Sequence, residues 1–279
     1  MVGALAATYI LLFLLERALP LRPPKARLLP RLGVNLLISA AALLAVLAVV
    51  EPVSTGTLQW ATSSSFGLLH FAALPGAVEF VLVFLLLDLS FYYWHVANHR
   101  FAVLWRIHNV HHIDPDLDVT TAFRFHFVEV VLSSGFRVAQ IALIGPSLAA
   151  YAVYELFFQL GTLFHHSNLR LPIGLERVLN KVLVTPRMHG IHHSRIRDET
   201  NSNFGVVFPW WDRIHGTLQL NVPQAGIVIG IPGYSRPEDN RPSHCFALPF
   251  RQQRDYWSAA GVPVGDRPLP IEPPGRLSQ

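Results

Sequence analysis

Three clusters of histidine carry the chemistry that this sequence can do. The first is the stretch HVANH, and the other two, HNVHH and HGIHH, share the pattern H-x-x-H-H. On an α-helix, residues three or four apart lie on one face, with their Cβ atoms about 5–6 Å apart. Neighbouring imidazoles at that spacing can bind one metal ion or two adjacent ions. The clusters therefore predict a metal centre with these candidate ligands: His95, His99, His108, His111, His112, His189, His192 and His193.

The number of histidines indicates more than one ion. These ligands exceed the roughly four to six that one ion takes, so a dinuclear site is the simplest interpretation. The chain has a single cysteine, Cys245, which excludes a disulfide framework and a cysteine-based zinc or iron–sulfur site. Imidazole suits zinc, copper, iron and nickel, so the ligands alone do not choose the metal.

Carboxylates are expected around these neutral ligands, where they would orient the imidazoles and partly balance the metal charge. Asp88 lies two helical turns before His95, and Glu129 follows His126 by three residues. Because an acid inside a membrane span is costly and usually functional, Asp88 is predicted to contact a ligand or a metal rather than simply to link two helices. The acids expected in a solvated loop are Asp114, Asp116 and Asp118. The histidines expected outside the site are His70, His215 and His244.

The composition indicates that membrane helices position this centre. The chain has 279 residues, of which 51% are hydrophobic and 14% are charged, and its mean hydropathy is +0.36; soluble domains average about 25% charged residues. Five stretches approach the roughly 20 apolar residues that cross a bilayer: 2–19, 33–50, 77–97, 127–144 and 147–164. The sequence therefore predicts an all-α, polytopic integral membrane bundle of about five spans. A signal peptide at 2–19 is the less favoured alternative, because the stretch lacks a basic start and a clear cleavage site.

The basic residues predict the orientation of this bundle. No lysine or arginine occurs from Glu51 to His99, whereas basic residues gather in 20–32, 98–126 and 165–279. By the positive-inside rule these three segments are cytoplasmic and the N-terminus is outside. Every histidine cluster then falls on the cytoplasmic side, as a histidine-rich metal-binding cap. No basic stripe interleaved with aromatic residues is present, so no nucleic-acid partner is expected.

The chain is predicted to have three parts. Residues 1–76 would form an N-terminal transmembrane pair with an external loop, and 77–220 the catalytic domain. Residues 221–279 would form a polar, proline-rich tail, whose end, 267–279, is expected to be disordered.

The order and spacing of the motifs resemble the fatty acid hydroxylase and sterol desaturase superfamily, the membrane di-iron oxygenases with histidine boxes. H-x3-H is followed by two H-x2-H-H motifs, and the stretches RFHFVE, HHSNLRLP, VTPRMHGIHHS, NSNFG and WDRIHGT agree as well. The resemblance covers roughly residues 80–220. It implies an oxidoreductase of the membrane that hydroxylates or desaturates a lipid at an unactivated C–H bond, with two Fe as cofactor and O2 as co-substrate.

The resemblance also implies roles for single residues. The eight clustered histidines would be the metal ligands, and His166 would be the next. His165 and His126 are possible further ligands, and spacing does not decide between His165 and His166. Asp88, Glu129 and Asn168 would support the ligands.

Oxygen activation needs electrons, and the sequence predicts a separate donor for them. The chain has no nucleotide-binding glycine loop, no haem attachment motif and no cysteine cluster. A ferredoxin or a cytochrome b5-like protein would dock on the cytoplasmic face, where Arg195 and Arg197 could receive its acidic surface. The expected location is a bacterial inner membrane or an endoplasmic reticulum type of membrane.

The sequence favours two other functions less. A membrane metal transporter would place ionisable residues along a path through the bilayer, whereas these histidines gather on one side. A metal-dependent membrane hydrolase would be expected to carry an H-E-x-x-H helix, which is missing here. The sequence leaves open the identity of the lipid, the choice between hydroxylation and desaturation, and the oligomeric state.

Overall fold

Helices dominate this computed structural model, which describes residues 2–71, 74–259 and 261–265. The long helices are α1 (Val2–Ala18), α2 (Leu28–Ala45), α3 (Glu51–Ser63), α4 (Gly76–Arg100), α5 (Ala102–His112), α6 (Phe127–Ile144) and α7 (Leu148–His166). The short ones are α8 (Ile173–Leu179), α9 (Pro186–His192), α10 (Arg197–Thr200), α11 (Trp210–His215) and α12 (Pro242–Ala247). Two short antiparallel strands, β1 (Ser258–Ala259) and β2 (Val262–Pro263), follow near the end. The prediction of a mostly helical protein is confirmed.

Within the described residues, three helical segments are long and apolar enough to cross a membrane: Leu28–Phe71, Gly76–Arg100 and Phe127–Ile144. They contain three of the five predicted spans. The other two predicted spans correspond to α1 and α7, which are helices but do not fall among these segments. Helix α1 has only 17 residues, and α7 carries Glu155 and ends in His165 and His166. The count of five spans therefore stays a proposal, as does the cytoplasmic side of the cap.

The first membrane-length segment is longer than predicted because α2 runs on into α3. A π-helical turn, Val46–Val50, joins the two helices without a break. Pro52 follows directly, within the first turn of α3. A proline ring does not fit a regular helix interior, and a wider turn accommodates it.

Helices α3, α4, α6 and α7 enclose the main hydrophobic core. Its fully buried members include Leu87, Ile141 and Tyr154, and the rings of Phe91 and Phe158 are 4.5 Å apart between centroids. An ion pair between Arg137 and Glu155 joins α6 to α7 beside this core. Pairing removes most of the cost of two charges in an apolar bundle.

The N-terminal helices and the C-terminal segment pack around the cap. One cluster unites α2 and α5 with Ile231, Tyr234 and Leu248, and another unites α1 and α7 with the 3-10 turn Val119–Thr121. The remaining 3-10 turns are Leu68–Phe71, Gln224–Gly226, Pro232–Tyr234, Pro237–Asn240 and Leu248–Phe250. The tail predicted to be disordered, 267–279, lies outside the described residues. The division into three domains stays a prediction.

Candidate metal centre

Nine buried or half-buried histidines form two groups that could each hold a metal ion. Within each group, the ligand nitrogens all lie within 4.8 Å of one another. The first histidine group is His95, His99, His108, His112 and His192. The second histidine group is His111, His166, His189 and His193. The structure thus brings together the nine histidines that the sequence and the resemblance singled out. Their assignment as ligands remains a prediction.

Four helices deliver these side chains. The ends of α4 and α7 provide three of them, α5 provides three and α9 two, and His193 follows α9 directly as its C-cap. Helix α9 begins where the hydroxyl of Thr185 accepts a hydrogen bond from the Met188 N–H and Pro186 takes the first helical position. Both features favour a helix start at this residue. The first H-x-x-H-H motif therefore lies entirely on α5, and the second lies on α9 and its C-cap residue, His193.

The two groups lie side by side. The ring of His112, in the first group, stacks on the ring of His193, in the second, with 4.4 Å between centroids and 18° between planes. His189 and His192 lie three residues apart in α9 and belong to different groups. Their ring centroids are 5.0 Å apart. Two ions bound in these groups would be close neighbours.

Hydrogen bonds to the outer nitrogens orient four of the rings. The Nδ1 atoms of His95, His166 and His192 contact the carbonyl oxygens of Phe204, Thr162 and Ser202, at 2.9, 2.8 and 2.7 Å respectively. The Nδ1 of His108 contacts Glu129 Oε1 at 2.8 Å. Because these oxygens accept hydrogen bonds, each Nδ1 donates, and in a neutral imidazole the lone pair is then on Nε2. The Nε2 atoms point the ligand lone pairs into the two groups, as metal-binding histidines do.

The inner nitrogens fit a cation. Among the described residues, both ring nitrogens of His99 and His112 and the Nε2 atoms of His108 and His192 are buried without a hydrogen-bond partner. In the second group, His166 Nε2 lies 3.0 Å from the Nε2 atoms of both His111 and His189. Buried nitrogens without partners are costly, and a metal ion in each group would bind one nitrogen of each ring. The donor set consists of nitrogen alone, which suits a transition metal.

Burial keeps these imidazoles in the form that binds metals. It lowers the pKa of His111, His112, His189, His192 and His193, and the neighbouring histidines lower it further. A group of histidines this close would repel one another if protonated. The rings are therefore neutral at physiological pH, as ligand histidines must be.

The three predicted supporting residues differ in where they lie. Glu129 contacts His108, and its role in supporting a metal ligand stays a prediction. Asp88 contacts no histidine among the described residues; it accepts hydrogen bonds from the N–H groups of Val207 and Phe208 and from Trp211 Nε1. This carboxylate fixes the chain at Val207 and Phe208, three and four residues after the carbonyl of Phe204 that His95 contacts.

The prediction that Asn168 supports a metal ligand does not agree with its hydrogen bonds. Its amide oxygen accepts a hydrogen bond from the N–H of Arg22, its amide nitrogen donates to the carbonyl of Arg22, and its own N–H donates to Glu16. Asn168 therefore joins the chain after α7 to the segment after α1, and among the described residues it forms no hydrogen bond to a candidate ligand. The predicted contact failed because the pairing partner lies about 146 residues earlier in the chain.

The remaining histidines lie outside both groups. His165 donates from Nδ1 to the carbonyl of Val206, and His126 caps α6 with Nδ1 and donates from Nε2 to the carbonyl of Phe246. His215 is exposed and contacts Tyr93 Oη at 2.8 Å. His70 is exposed at the end of the first membrane-length segment, and His244 lies beside Asp239. Between the two adjacent histidines of α7, the structure thus brings His166, not His165, into a group.

The prediction that three acids lie in a solvated loop is wrong. Asp114, Asp116 and Asp118 are buried, and two of them pair with Arg31 of α2. Arg31 donates to both carboxyl oxygens of Asp114, at 2.6 and 2.8 Å, and to Asp118 at 2.6 Å. The Arg31 guanidinium holds the pKa of Asp114 below its usual range, against the effect of burial. This polar cluster fixes the chain directly after His111 and His112.

Asn35 and Thr121 complete this cluster, which the sequence did not reveal. The Asn35 amide nitrogen donates to Asp114 at 3.0 Å and to the Thr120 hydroxyl at 2.8 Å. An arginine and an asparagine near the start of an apolar helix were the available signal, because buried polar groups need partners. Helix α2 therefore contributes buried polar contacts to the chain that follows the candidate ligands His111 and His112.

Gly190 shows a second contact of this kind. It lies between His189 and Ile191 in α9, and a Cβ at this position would lie 2.2 Å from Arg22 Nη1 and 2.8 Å from its Cζ. Arg22 is buried, and its Nη1 donates to Gln224 Oε1 at 2.6 Å. The guanidinium therefore lies against α9, which carries His189 and His192 and is followed directly by His193.

Gly190→Ala is expected to displace α9 and lower the bound metal several-fold, and adding Arg22→Ala is expected to restore much of it. In an ordinary helix interior, replacing glycine by alanine stabilises the helix by about 1 kcal/mol. A loss of bound metal in Gly190→Ala would therefore be due to the collision with Arg22. Metal content of the purified single and double variants measures both effects. Two outcomes would contradict the proposed collision between residue 190 and Arg22. One is full metal content in Gly190→Ala. The other is a double variant that binds no more metal than Gly190→Ala.

Known proteins resemble this chain in the part that carries the centre. Residues 80–217 match the model of the fatty acid hydroxylase family. The chain is 29% identical over 159 residues to an ornithine lipid hydroxylase, OlsE, of Rhizobium tropici, covering 57% of this chain and 47% of the relative. It is 34% identical over 138 residues to an alkylglycerol monooxygenase of Xenopus tropicalis, covering 49% and 30%. A human cholesterol 25-hydroxylase is 28% identical over 139 residues, covering 48% and 49%.

The matches thus span less than half the length of each of these three relatives. No solved structure matches the chain. All nine grouped histidines and Glu129 lie within residues 80–217, whereas Arg22, Arg31 and Asn35 lie before them.

Proposed function

Residues 80–217 belong to the fatty acid hydroxylase family, and we propose that the chain is an integral membrane oxidoreductase that uses O2 to hydroxylate or desaturate a lipid. The observation that carries the proposal is the pair of adjacent, nitrogen-only histidine groups with inward Nε2 lone pairs. The relatives named above are hydroxylases and monooxygenases, and their names refer to lipids. The substrate of this chain is proposed to be a lipid as well.

We propose two iron ions as the metals, one in each histidine group. Two ferrous ions would supply the reduction of O2 to an oxidant that attacks an unactivated C–H bond. The protein would hold the metals and orient their ligands. Four oxygens fix the rings that would bind the metals: the carbonyls of Thr162, Ser202 and Phe204 and the carboxylate of Glu129. Asp88 holds the chain that carries one of these carbonyls.

An apolar aromatic cluster beside the first histidine group would receive the lipid. Trp94, adjacent to His95, stacks on Phe136 with 4.9 Å between ring centroids, and Phe91 lies against Phe158. These side chains exclude water from the apolar bundle next to the candidate metals. A hydrocarbon chain or ring system entering from the bilayer would meet apolar surface up to the reacting position.

The proposed topology follows the charges. Five spans would place the N-terminus outside and the centre on the cytoplasmic side, since the basic residues gather around the histidine clusters. Residues 77–220 would form the catalytic domain.

Oxygen-isotope labelling tests the function. The purified protein would be loaded with iron and given a membrane lipid extract, a chemical reductant and ¹⁸O2. One ¹⁸O atom in a lipid product identifies a hydroxylase, and a product lighter by two hydrogens with no label identifies a desaturase. The His192→Ala variant is the control. A hydrolysed lipid carrying oxygen from water, or no product although iron is bound, would contradict the proposal.

A further inference from the structure

Oxidation of a lipid by O2 requires two electrons that the described residues have no group to store. This inference rests on the proposed function. The grouped histidines are buried or half-buried, so a protein donor meets the surface of the cap and not the metals themselves. A route from the surface to the candidate ligands is therefore needed.

An aromatic route of this kind leads out through the C-terminal segment. The ring of Trp105 lies 4.8 Å from the ring of His99 and 5.3 Å from that of His112, between centroids. Trp257 stacks on Trp105 at 6.1 Å with only 17° between the planes. His112 in turn stacks on His193 of the second histidine group. Rings in contact thus connect Trp257 to both groups.

The two tryptophans differ in exposure along this route. Trp105 is 6% exposed, whereas Trp257 is partly exposed. Near-parallel offset rings at this distance share π contact, and π systems pass electrons more readily than saturated side chains. Trp257 lies beyond the residues that match the family model, so the route is a feature of this chain's own C-terminal segment.

Arginines surround the outer end of the route. Arg106 donates to the carbonyl of Arg251 at 3.3 Å, and burial raises the pKa of Tyr256 to about 12 while Arg106 opposes that rise. Arg197 is exposed and acts on the exposed carboxylate of Asp255, two residues before Trp257. Arg106, Arg197 and Arg251 thus lie around Tyr256 and Asp255, close to Trp257 in the chain, and their positive charge is complementary to an acidic partner.

We propose that Trp257 and the neighbouring arginines Arg106, Arg197 and Arg251 form the docking surface for an acidic one-electron carrier protein, and that Trp257 and Trp105 conduct its electrons to His99 and His112. The carrier, an iron–sulfur or haem protein, gives up one electron in each encounter. Two encounters supply two electrons, which with O2 and two protons yield one hydroxyl group on the lipid and one molecule of water.

Binding tests the docking surface without any turnover. The probes are a plant-type [2Fe–2S] ferredoxin and a soluble cytochrome b5 domain, each titrated onto the metal-free, full-length protein in detergent. Arg197→Glu combined with Arg251→Glu should weaken the better-bound probe about tenfold, with the loss shrinking at high salt. Arg177→Glu combined with Lys181→Glu, the same charge change on exposed residues around α8, should change binding less than about twofold. Equal effects of both pairs, or no binding of either probe to the wild type, would overturn the surface.

Reduction kinetics test the aromatic route. With iron loaded and the reduced carrier at a saturating concentration, Trp257→Leu should slow iron reduction at least about tenfold. Trp257→Phe keeps a ring and should stay within about threefold of the wild type. Dithionite, a small reductant, should reduce all three proteins at one rate. The route would be overturned if the carrier reduced Trp257→Leu as fast as the wild type. It would also be overturned if dithionite reduced Trp257→Leu more slowly by the same factor as the carrier does. Failure to bind iron at all would instead contradict the proposed function, while the binding titrations would still report on the surface.

Discussion

Alanine at position 192 is expected to cost the protein at least half of its bound iron and to lower lipid oxidation by about a hundredfold or more. His192 is fully buried, and its ring lies within 4.6 to 4.8 Å, between centroids, of the rings of His95, His99 and His112. Its Nδ1 is held by the carbonyl of Ser202, so Nε2 faces the first histidine group. Loss of residues that only orient a ligand already costs roughly 10–100-fold in affinity or activity, and loss of a ligand should cost more.

The matched control is His70→Ala. This histidine is exposed and lies at the end of the first membrane-length segment, outside both histidine groups. Its removal should leave iron content and activity within about twofold of the wild type. Iron per chain, protein recovered from the membrane fraction and product formation are measured for both variants. A His192→Ala protein with normal iron and activity would exclude His192 as a ligand.

Arg31→Ala is expected to cause the largest loss of stability. The substitution would leave Asp114 and Asp118 buried without the guanidinium that neutralises their charge. Removing one partner of a buried ion pair typically costs about 3–5 kcal/mol, which corresponds to a fall of roughly 10 °C in unfolding temperature for a chain of this size. The acids follow His111 and His112 directly, so iron content should fall as well. Unfolding followed by tryptophan fluorescence in detergent measures the loss.

Two further variants make this prediction specific. Arg31→Lys keeps the charge but cannot reproduce the forked contact with Asp114, so its stability should be intermediate. Arg27→Ala removes an exposed cation one helical turn earlier and should change the unfolding temperature little. Equal stability of Arg31→Ala and Arg27→Ala would show that the buried acids do not depend on Arg31.

The histidine centre was predictable because its signal is local. Spacings of three and four residues place His108, His111 and His112 on neighbouring turns of one helix, and the same holds for the cluster at 189–193. The apolar stretches between the clusters predict that the ends of three spans and two cytoplasmic segments converge at one level of the membrane. The structure agrees in bringing the nine histidines into two adjacent groups.

What the sequence did not predict depends on partners far along the chain. Asp114, Asp116 and Asp118 alternate with apolar and small residues and are typical of a polar loop. Their burial depends on Arg31, which lies 83 residues before Asp114, and no periodicity encodes such a pairing. Asn168 failed for the same reason, since its partner is Arg22.

The C-terminal segment illustrates the same limit. Its proline content predicted a polar tail, yet Ile231, Tyr234 and Leu248 are buried against α2 and α5. Trp257 reaches Trp105 across more than half of the chain. Isolated aromatic residues among prolines give no local pattern, so their packing emerges only from the fold.

Mössbauer spectroscopy, together with metal analysis, of the purified protein expressed with ⁵⁷Fe tests the central claim most directly. Two adjacent histidine groups predict about two irons per chain, magnetically coupled to each other, and the loss of that signal in the His192→Ala variant. One zinc ion or none, with no uptake of iron under reducing conditions, would contradict a di-iron oxygenase.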